Sequence, residues 1–252
     1  MKNCAKWITA AFTLSLLAGC SDGHWRAQGD DTGGATGTPV VSTGAGETRR
    51  YALADFTGVE VAGLDNVTIA RGSSFSVTAT GTDDALESLV LRVRDGTLEV
   101  RRRNGVSWSQ GDPAEIRVTM PTLESASMAG SGALRSDTLT GANASVSIAG
   151  SGDVVIAGIA ARDLSVAIAG SGSFTGTGTA QNADISIAGS GDVTAAGLQS
   201  TTADVSIAGS GDVAVRATGT ADVSIIGSGD VTITGGATCT TSKIGSGDVT
   251  CG

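Results

Sequence analysis

The sequence predicts an all-β protein whose larger part is a β-solenoid similar to a right-handed β-helix. The tripeptide Gly-Ser-Gly recurs seven times, at intervals of 18–20 residues. Alternating apolar and polar residues flank each copy, and aromatic residues make up only 3% of the chain. A fixed period of this length is typical of stacked repeats, and small aliphatic side chains suit a narrow interior.

Each repeat offers two short strands joined by a tight corner, with a looser turn before the next repeat. Val205, Ile207, Val213 and Val215 lie on one face of such a unit. One unit cannot cover this face, whereas stacked units can. An antiparallel meander closed by Gly-Ser-Gly hairpins is the alternative, but identical repeats stack in register only when coil pairs with coil. The corners begin at Gly130, Gly150, Gly170, Gly189, Gly209, Gly227 and Gly245.

The corner sequence indicates a bend that brings neighbouring coils close together. Glycine adopts backbone angles closed to other residues. The serine hydroxyl is expected to bond the backbone of its own coil or the next one. The corner therefore recurs because the bend recurs.

An aspartate follows five of the seven corners, so stacking predicts a column of carboxylates. Like charges this close repel one another, and the column needs a compensating interaction. Each carboxylate could accept backbone N–H groups at its turn, which is the favoured explanation, or the column could bind Ca²⁺ as a cofactor. The column comprises Asp153, Asp192, Asp212, Asp230 and Asp248, and a second column before the corners comprises Asp184, Asp204 and Asp222.

The first residues predict export and lipid attachment. Residues 1–19 have a basic start and a short apolar run, and Leu17 to Cys20 resembles the lipobox of bacterial lipoprotein signal peptides. That resemblance implies cleavage before Cys20 and acylation of its sulfur and amine. An Asp after the lipidated cysteine favours retention in the inner membrane, but Ser21 stands at this position. We therefore expect the protein to lie in the cell envelope, attached to the outer membrane. Residues 20–50 are rich in Gly, Thr and Asp, which predicts a lipidated flexible tether.

Residues 51–125 predict a small N-terminal β region ahead of the solenoid of residues 126–252. Asp95-Gly96 suits a two-residue hairpin turn, which would pair Val93 with Leu98 and Arg92 with Glu99. Residues 82–89 could form a short helix capped by Thr82 or Asp83. Strands are also expected before and after residues 72–74.

A group of arginines in this region has two explanations, an anion site or a solvated outer face. The solvated face is favoured, because no aromatic residue interleaves them and no glycine-rich phosphate loop is present. The group comprises Arg92, Arg94, Arg101, Arg102, Arg103 and Arg117.

The remaining cysteines and the net charge indicate which bonds and ligands the chain is expected to have. Cys239 and Cys251 predict a disulfide in an oxidising compartment. No metal site is expected, since the single histidine, His24, lies in the predicted tether.

Residues 1–19 carry two lysines and no acid, which takes the net charge from −9 to −11 on cleavage. An acidic chain of this kind lacks the basic face of a nucleic-acid binder.

The order of motifs resembles a known bacterial family. "FTGVEVAGLDNVTIARG", "LVLRVRDGTLEV" and "IRVTMPTLESASMAGSGAL" precede the "IAGSGDV" coils. This series is similar to the family called putative auto-transporter adhesin, head GIN domain, over roughly residues 54–250. The resemblance implies a solenoid-like fold with an N-terminal β region and carries over no catalytic residue.

Three functions from different classes follow. The first is a non-enzymatic interaction or adhesion module anchored to the envelope, with a protein or glycan partner and room for homo-oligomers through its flat faces. The second is a periplasmic structural or envelope-stress protein. The third, an enzyme acting on polysaccharide, is disfavoured, because carboxylates such as Asp184 and Asp192 lack a groove with sugar-stacking rings.

Overall fold

The computed structural model describes residues 39–42, 47–103 and 112–252. In this part of the chain, the β-strands form one continuous sheet, and one short helix lies between two of the strands in sequence. No helix within these ranges has the length and apolar character of a membrane span.

The first half of the described chain contains short strands. Their bounds are β1 Pro39–Ser42, β2 Glu47–Tyr51, β3 Gly58–Gly63, β4 Asn66–Arg71, β5 Ser76–Gly81, β6 Leu89–Arg94, β7 Thr97–Arg102, β8 Glu115–Met120, β9 Ser125–Gly130 and β10 Ala133–Ser136, with helix α1 at Asp83–Ser88 between β5 and β6.

The second half contains the repeats. Their strands are β11 Leu139–Gly150, β12 Asp153–Gly170, β13 Ser173–Gly189, β14 Asp192–Gly209, β15 Val213–Gly227, β16 Val231–Thr234, β17 Thr238–Gly245 and β18 Val249–Cys251.

The repeats stack as a β-solenoid of about six turns, which confirms the predicted fold. Every pairing among β9 to β18 is parallel, and the corner glycines align, so that Gly150 lies opposite Gly130 and Gly170. The expectation of two separate strands in each coil is too simple. In the central coils one strand runs from corner to corner and bends at register shifts, as between Thr175 and Thr177.

The interior contains the small aliphatic residues that the repeat pattern places inward. Val205, Ile207, Val213 and Val215 are each at most 3% exposed. The same positions are filled by valine, isoleucine, leucine and alanine in the neighbouring coils, forming one apolar column through the stack. Burial of such side chains stabilises the fold by about 25 cal/mol per Å² of apolar surface.

The Gly-Ser-Gly corners are linked by a ladder of backbone hydrogen bonds. The N–H of Ser151 donates to the carbonyl of Gly130 at 2.8 Å, and each later corner serine repeats this bond at 2.8–2.9 Å. The corner bond is therefore made by the serine backbone, where a hydroxyl was expected, and the serine side chains are exposed. Gly150 has φ +117°, and a Cβ there would lie 2.6 Å from the Gly130 oxygen.

The N-terminal β region belongs to the same stack. Strand β3 lies between β7 and β9, β4 lies between β8 and β10, and all four pairings are parallel. The segment Gly63-Leu64-Asp65 occupies the corner of this coil, and the carbonyl of Gly63 accepts the N–H of Ser131. The coil formed by β3 and β4 differs in sequence from the repeats. It lies between the coil of β7 and β8 and the coil of β9 and β10, although it precedes both in the chain.

Antiparallel strands cover the N-terminal end of the stack. Strands β6 and β7 pair through the predicted Asp95-Gly96 turn, with Arg92 opposite Glu99. Elsewhere in the same sheet, β5 pairs antiparallel with β8, β2 with β5, and β1 with β2. Strands β4 and β5 do not pair, because β8 lies between them. Helix α1 begins after Thr82, whose hydroxyl accepts the N–H of Ala85 at 3.3 Å.

A buried ion pair ties the divergent corner to this end. Asp65 is fully buried and binds Arg102 through two bonds, Nε to Oδ2 at 3.0 Å and Nη2 to Oδ1 at 2.5 Å. The hydroxyl of Ser88 accepts a bond from Arg102 Nη1 and the carbonyl of Asp112 accepts one from Nη2, while the N–H of Ala114 donates to Asp65. Because each charge is paired and hydrogen-bonded, the pair can be buried without an unsatisfied group. The Asp65 hydrogen bond raises the pKa of Arg102.

Gly150→Ala tests the corner. The added methyl would meet the Gly130 carbonyl and require a backbone angle unfavourable for alanine, so we expect a loss of about 3 kcal/mol or more in unfolding free energy. Ser151→Ala keeps the backbone N–H and should change stability by less than about 0.5 kcal/mol. Denaturant unfolding monitored by circular dichroism measures both, and equal effects would contradict a backbone role for the corner.

Candidate functional site

The column of aspartates after the corners forms a side-chain ladder parallel to the corner bonds. Asp192 accepts the N–H of Asp212 at 3.0 Å, Asp212 accepts that of Asp230 at 2.9 Å, and Asp230 accepts that of Asp248 at 2.7 Å. In an earlier coil, the carboxylate of Asp153 accepts the hydroxyl of its neighbour Ser173. Each of these carboxylates therefore binds a group of the following coil, which offsets the repulsion within the column.

The column ends in a lysine at the last coil. Lys243 Nζ lies 3.4 Å from Oδ1 of Asp248, the last aspartate of the column. No group of three or more His, Cys, Asp or Glu side chains in the described ranges is arranged to hold a metal ion. The Ca²⁺ hypothesis for this column stays a prediction.

Substitutions at Asp212 separate the two explanations. Asp212→Asn keeps an oxygen acceptor for the Asp230 N–H, whereas Asp212→Ala removes it and should cost about 0.5–1.5 kcal/mol. We expect Asn to preserve the melting temperature, Ala to lower it, and Ca²⁺ to shift neither variant nor the wild type. A Ca²⁺-dependent rise in the wild type that is lost in Asp212→Asn would instead favour a cation site.

A second polar column lines a groove along the stack. Ser145, Ser165, Asp184, Asp204 and Asp222 lie in register on adjacent coils, as the sequence predicted for the aspartates. They line two adjoining cavities of about 590 and 230 Å³, which share Asp204. The groove therefore runs across successive coils with polar groups repeated at about the 4.8 Å strand spacing.

Hydrogen bonds hold one wall of the groove in place. Asn182 Nδ2 donates to Asp163 Oδ1 at 2.6 Å, and Asn182 Oδ1 accepts the Thr202 hydroxyl at 2.8 Å. Arg162 donates to the other oxygen of Asp163. These donors, Arg162 first and Asn182 second, lower the pKa of Asp163, so the carboxylate stays ionised at neutral pH. The wall offers carboxylate, amide and hydroxyl groups in fixed positions.

The arginines grouped by sequence do not share one surface. Arg92 pairs with Glu99 at 2.5 Å, Arg94 lies near Asp95 at the hairpin, and Arg102 is buried against Asp65. Arg117 lies on β8, which pairs with β4 and β5 and not with the β6–β7 hairpin. The structure therefore does not support a single anion site built from the whole group, and Arg102 departs from the expected solvated face.

The C-terminal end is closed by a disulfide and a polar coil. Cys239 of β17 is bonded to Cys251 of β18. Lys243 occupies the register position of the buried Ile225, so the last coil has a charge where the others have an apolar side chain. The Lys243 side chain is exposed and lies near Asp248, and a lysine on an edge strand discourages pairing of that edge with another chain.

Cys239→Ser tests the closure. Strand β18 covers β16, whose Val231 and Ile233 are 1% exposed, so release of β18 would uncover apolar surface. We expect a lower melting temperature, a loss of about 2–4 kcal/mol, and aggregation seen by light scattering. Cys239→Ser/Cys251→Ser should behave like the single variant, and an unchanged transition would contradict the closure.

The predicted signal peptide of residues 1–19, the lipid-attachment residue Cys20 and His24 lie outside the described residues. Within the predicted flexible tether of residues 20–50, residues 39–42 and 47–50 are described and lie in strands β1 and β2.

One known protein family matches this chain. The model of the family described as "Putative auto-transporter adhesin, head GIN domain" matches residues 55–237. No curated protein matches the chain.

Solved structures share the fold. A putative adhesin from Bacteroides fragilis is 24% identical, with a TM-score of 0.74, covering 81% of this chain and 95% of that one. A putative adhesin from Parabacteroides merdae is 18% identical, with a TM-score of 0.65 and coverage of 80% and 94%. A putative lipid binding protein from Parabacteroides distasonis is 24% identical, with a TM-score of 0.66 and coverage of 83% and 97%.

Proposed function

The chain belongs to the family described as "Putative auto-transporter adhesin, head GIN domain", and on that premise we propose that it is a non-enzymatic, envelope-anchored adhesion module. The adhesin-like family suggests a location in the cell envelope or at the cell surface. We assign attachment to a lipid on Cys20, at the outer membrane, in keeping with the lipobox-like residues before it.

The polar groove carries this proposal. Ser165, Asp184, Asp204 and Asp222 repeat at one strand spacing along a rigid stack. A groove with repeated hydrogen-bonding groups fits an extended polymer, a glycan or a protein segment, lying along the stack. Rigid placement reduces the entropy lost when such a partner binds.

The arrangement of carboxylates argues against hydrolysis. Asp184 and Asp192 lie on opposite sides of the corner at residues 189–191, on different faces of the coil. The described groove residues include no aromatic side chain that could stack on a sugar ring. A binding role therefore fits the groove better than glycoside cleavage.

Protease treatment of intact cells tests the adhesion role. We expect the mature protein to be cut on intact cells, and those cells to bind immobilised host-surface or glycan panels. Protection until lysis would contradict adhesion and favour the alternative, a periplasmic structural or envelope-stress protein.

A pair of matched variants assigns the binding to the groove. Asp184→Asn/Asp204→Asn removes two groove charges and should weaken cell binding about ten-fold or more, the effect of losing two charged hydrogen bonds. Asp84→Asn/Glu87→Gln removes the same charge from helix α1 and should leave binding unchanged. Equal binding by both variants would exclude the groove as the contact surface.

A further inference from the structure

Strand register creates a row of arginines and threonines at the N-terminal end of the stack. Arg50 lies opposite Thr78, Thr78 opposite Arg117, Arg117 opposite Thr68, and Thr68 opposite Arg135. These five residues come from β2, β5, β8, β4 and β10, and directly opposed residues share one face of a sheet. With strands about 4.8 Å apart, the arginines are spaced at roughly 10 Å over about 20 Å. We name this row the arginine strip.

The charges of the arginine strip are available. Arg50, Arg117 and Arg135 are exposed, and among the described residues none has a hydrogen-bond or ion-pair partner. The acids closest in register are already engaged. Glu115 accepts a bond from the Asn66 amide at 2.7 Å, and Asp137 accepts the backbone N–H of Arg71.

The strip lies at the end where the chain leaves the predicted lipid anchor. Val40 of β1 pairs with Arg50, so the first described strand adjoins the strip. Pro39 lies 19 positions after Cys20 in the chain. Even fully extended, this segment holds β1 within about 65 Å of an acylated Cys20.

We propose that the arginine strip docks this end of the solenoid onto the anionic headgroups of the membrane that holds the lipid anchor. The proposal rests on the anchor in the proposed function. The opposite end of the same face has the reverse charge, with Asp192, Asp212, Asp230 and Asp248 exposed. An anionic surface attracts the strip and repels this column, so the stack stands with its C-terminal coils away from the membrane.

The orientation leaves the groove accessible. Its polar column extends from Ser145 to Thr240 along the coils that the membrane would repel. The strip thus sets the direction in which the groove is presented.

Arginine footprinting on the lipidated chain in vesicles tests the docking. Hydroxyphenylglyoxal modification is followed by mass spectrometry in phosphatidylcholine vesicles with and without phosphatidylglycerol. Each arginine near an anionic surface favours docking about five-fold, so phosphatidylglycerol should slow modification of Arg50, Arg117 and Arg135 about three-fold or more. High salt should remove the protection, because it shortens the Debye length.

Other exposed arginines provide controls within the same sample. Arg162 and Arg216 lie on the coils beyond the strip, are exposed and should react equally in both vesicle types. Arg117→Gln should weaken the protection of Arg50 and Arg135, whereas Arg216→Gln should leave it intact. Equal modification of strip and control arginines, or loss of protection in both variants, would overturn the proposal.

Two further measurements distinguish membrane docking from burial of the strip by a second copy and from failure of the lipid anchor. Strip protection that persists in detergent, without a lipid surface, would show that a second copy of the chain covers the strip and would overturn membrane docking. Fatty-acid labelling of Cys20 is measured on the same preparation. An unlabelled chain would overturn the anchor and the docking together, whereas a labelled chain with an unprotected strip would overturn the docking alone.

Discussion

The hydrogen bond between successive Gly-Ser-Gly corners is the constraint on which the rest of the structure depends. The N–H of Ser151 reaches the carbonyl of Gly130 because Gly150 has no Cβ, which would otherwise lie 2.6 Å from that carbonyl oxygen. One such bond contributes only about 0.5–1.5 kcal/mol, but it fixes the register of a whole coil. Once that register is fixed, apolar side chains meet inside, and the aspartate ladder and groove follow outside.

The period of the repeats was enough to predict the solenoid, its corners and its aspartate column. Local patterns also predicted the Asp95-Gly96 hairpin and the Thr82 cap, because both depend on residues adjacent in sequence. The coil of β3 and β4 was missed, since Gly63-Leu64-Asp65 lacks the serine and second glycine of the other corners. Its insertion between β7–β8 and β9–β10 depends on pairings far apart in sequence, which no local pattern shows.

The two candidate surfaces also differ in how far the sequence alone predicts them. The column of Asp184, Asp204 and Asp222 could be predicted because it repeats with the coils. The arginine strip could not, since its residues come from five strands whose order in the sheet differs from their order in the chain. Asp65 and Arg102 were missed for the same reason. The regular middle of the stack therefore supplies a repeated groove, while the irregular ends supply the closure and the single charged features.

Amide hydrogen exchange at the corner serines tests the central claim most directly. The side chains of Ser151, Ser171, Ser190 and Ser210 are exposed, yet each backbone N–H donates to the preceding coil. The account predicts that these amides exchange as slowly as those of the buried strand residues beside them, because both open only when coils separate. Exchange at the rate of an exposed turn would show that the corners do not hold the coils in register.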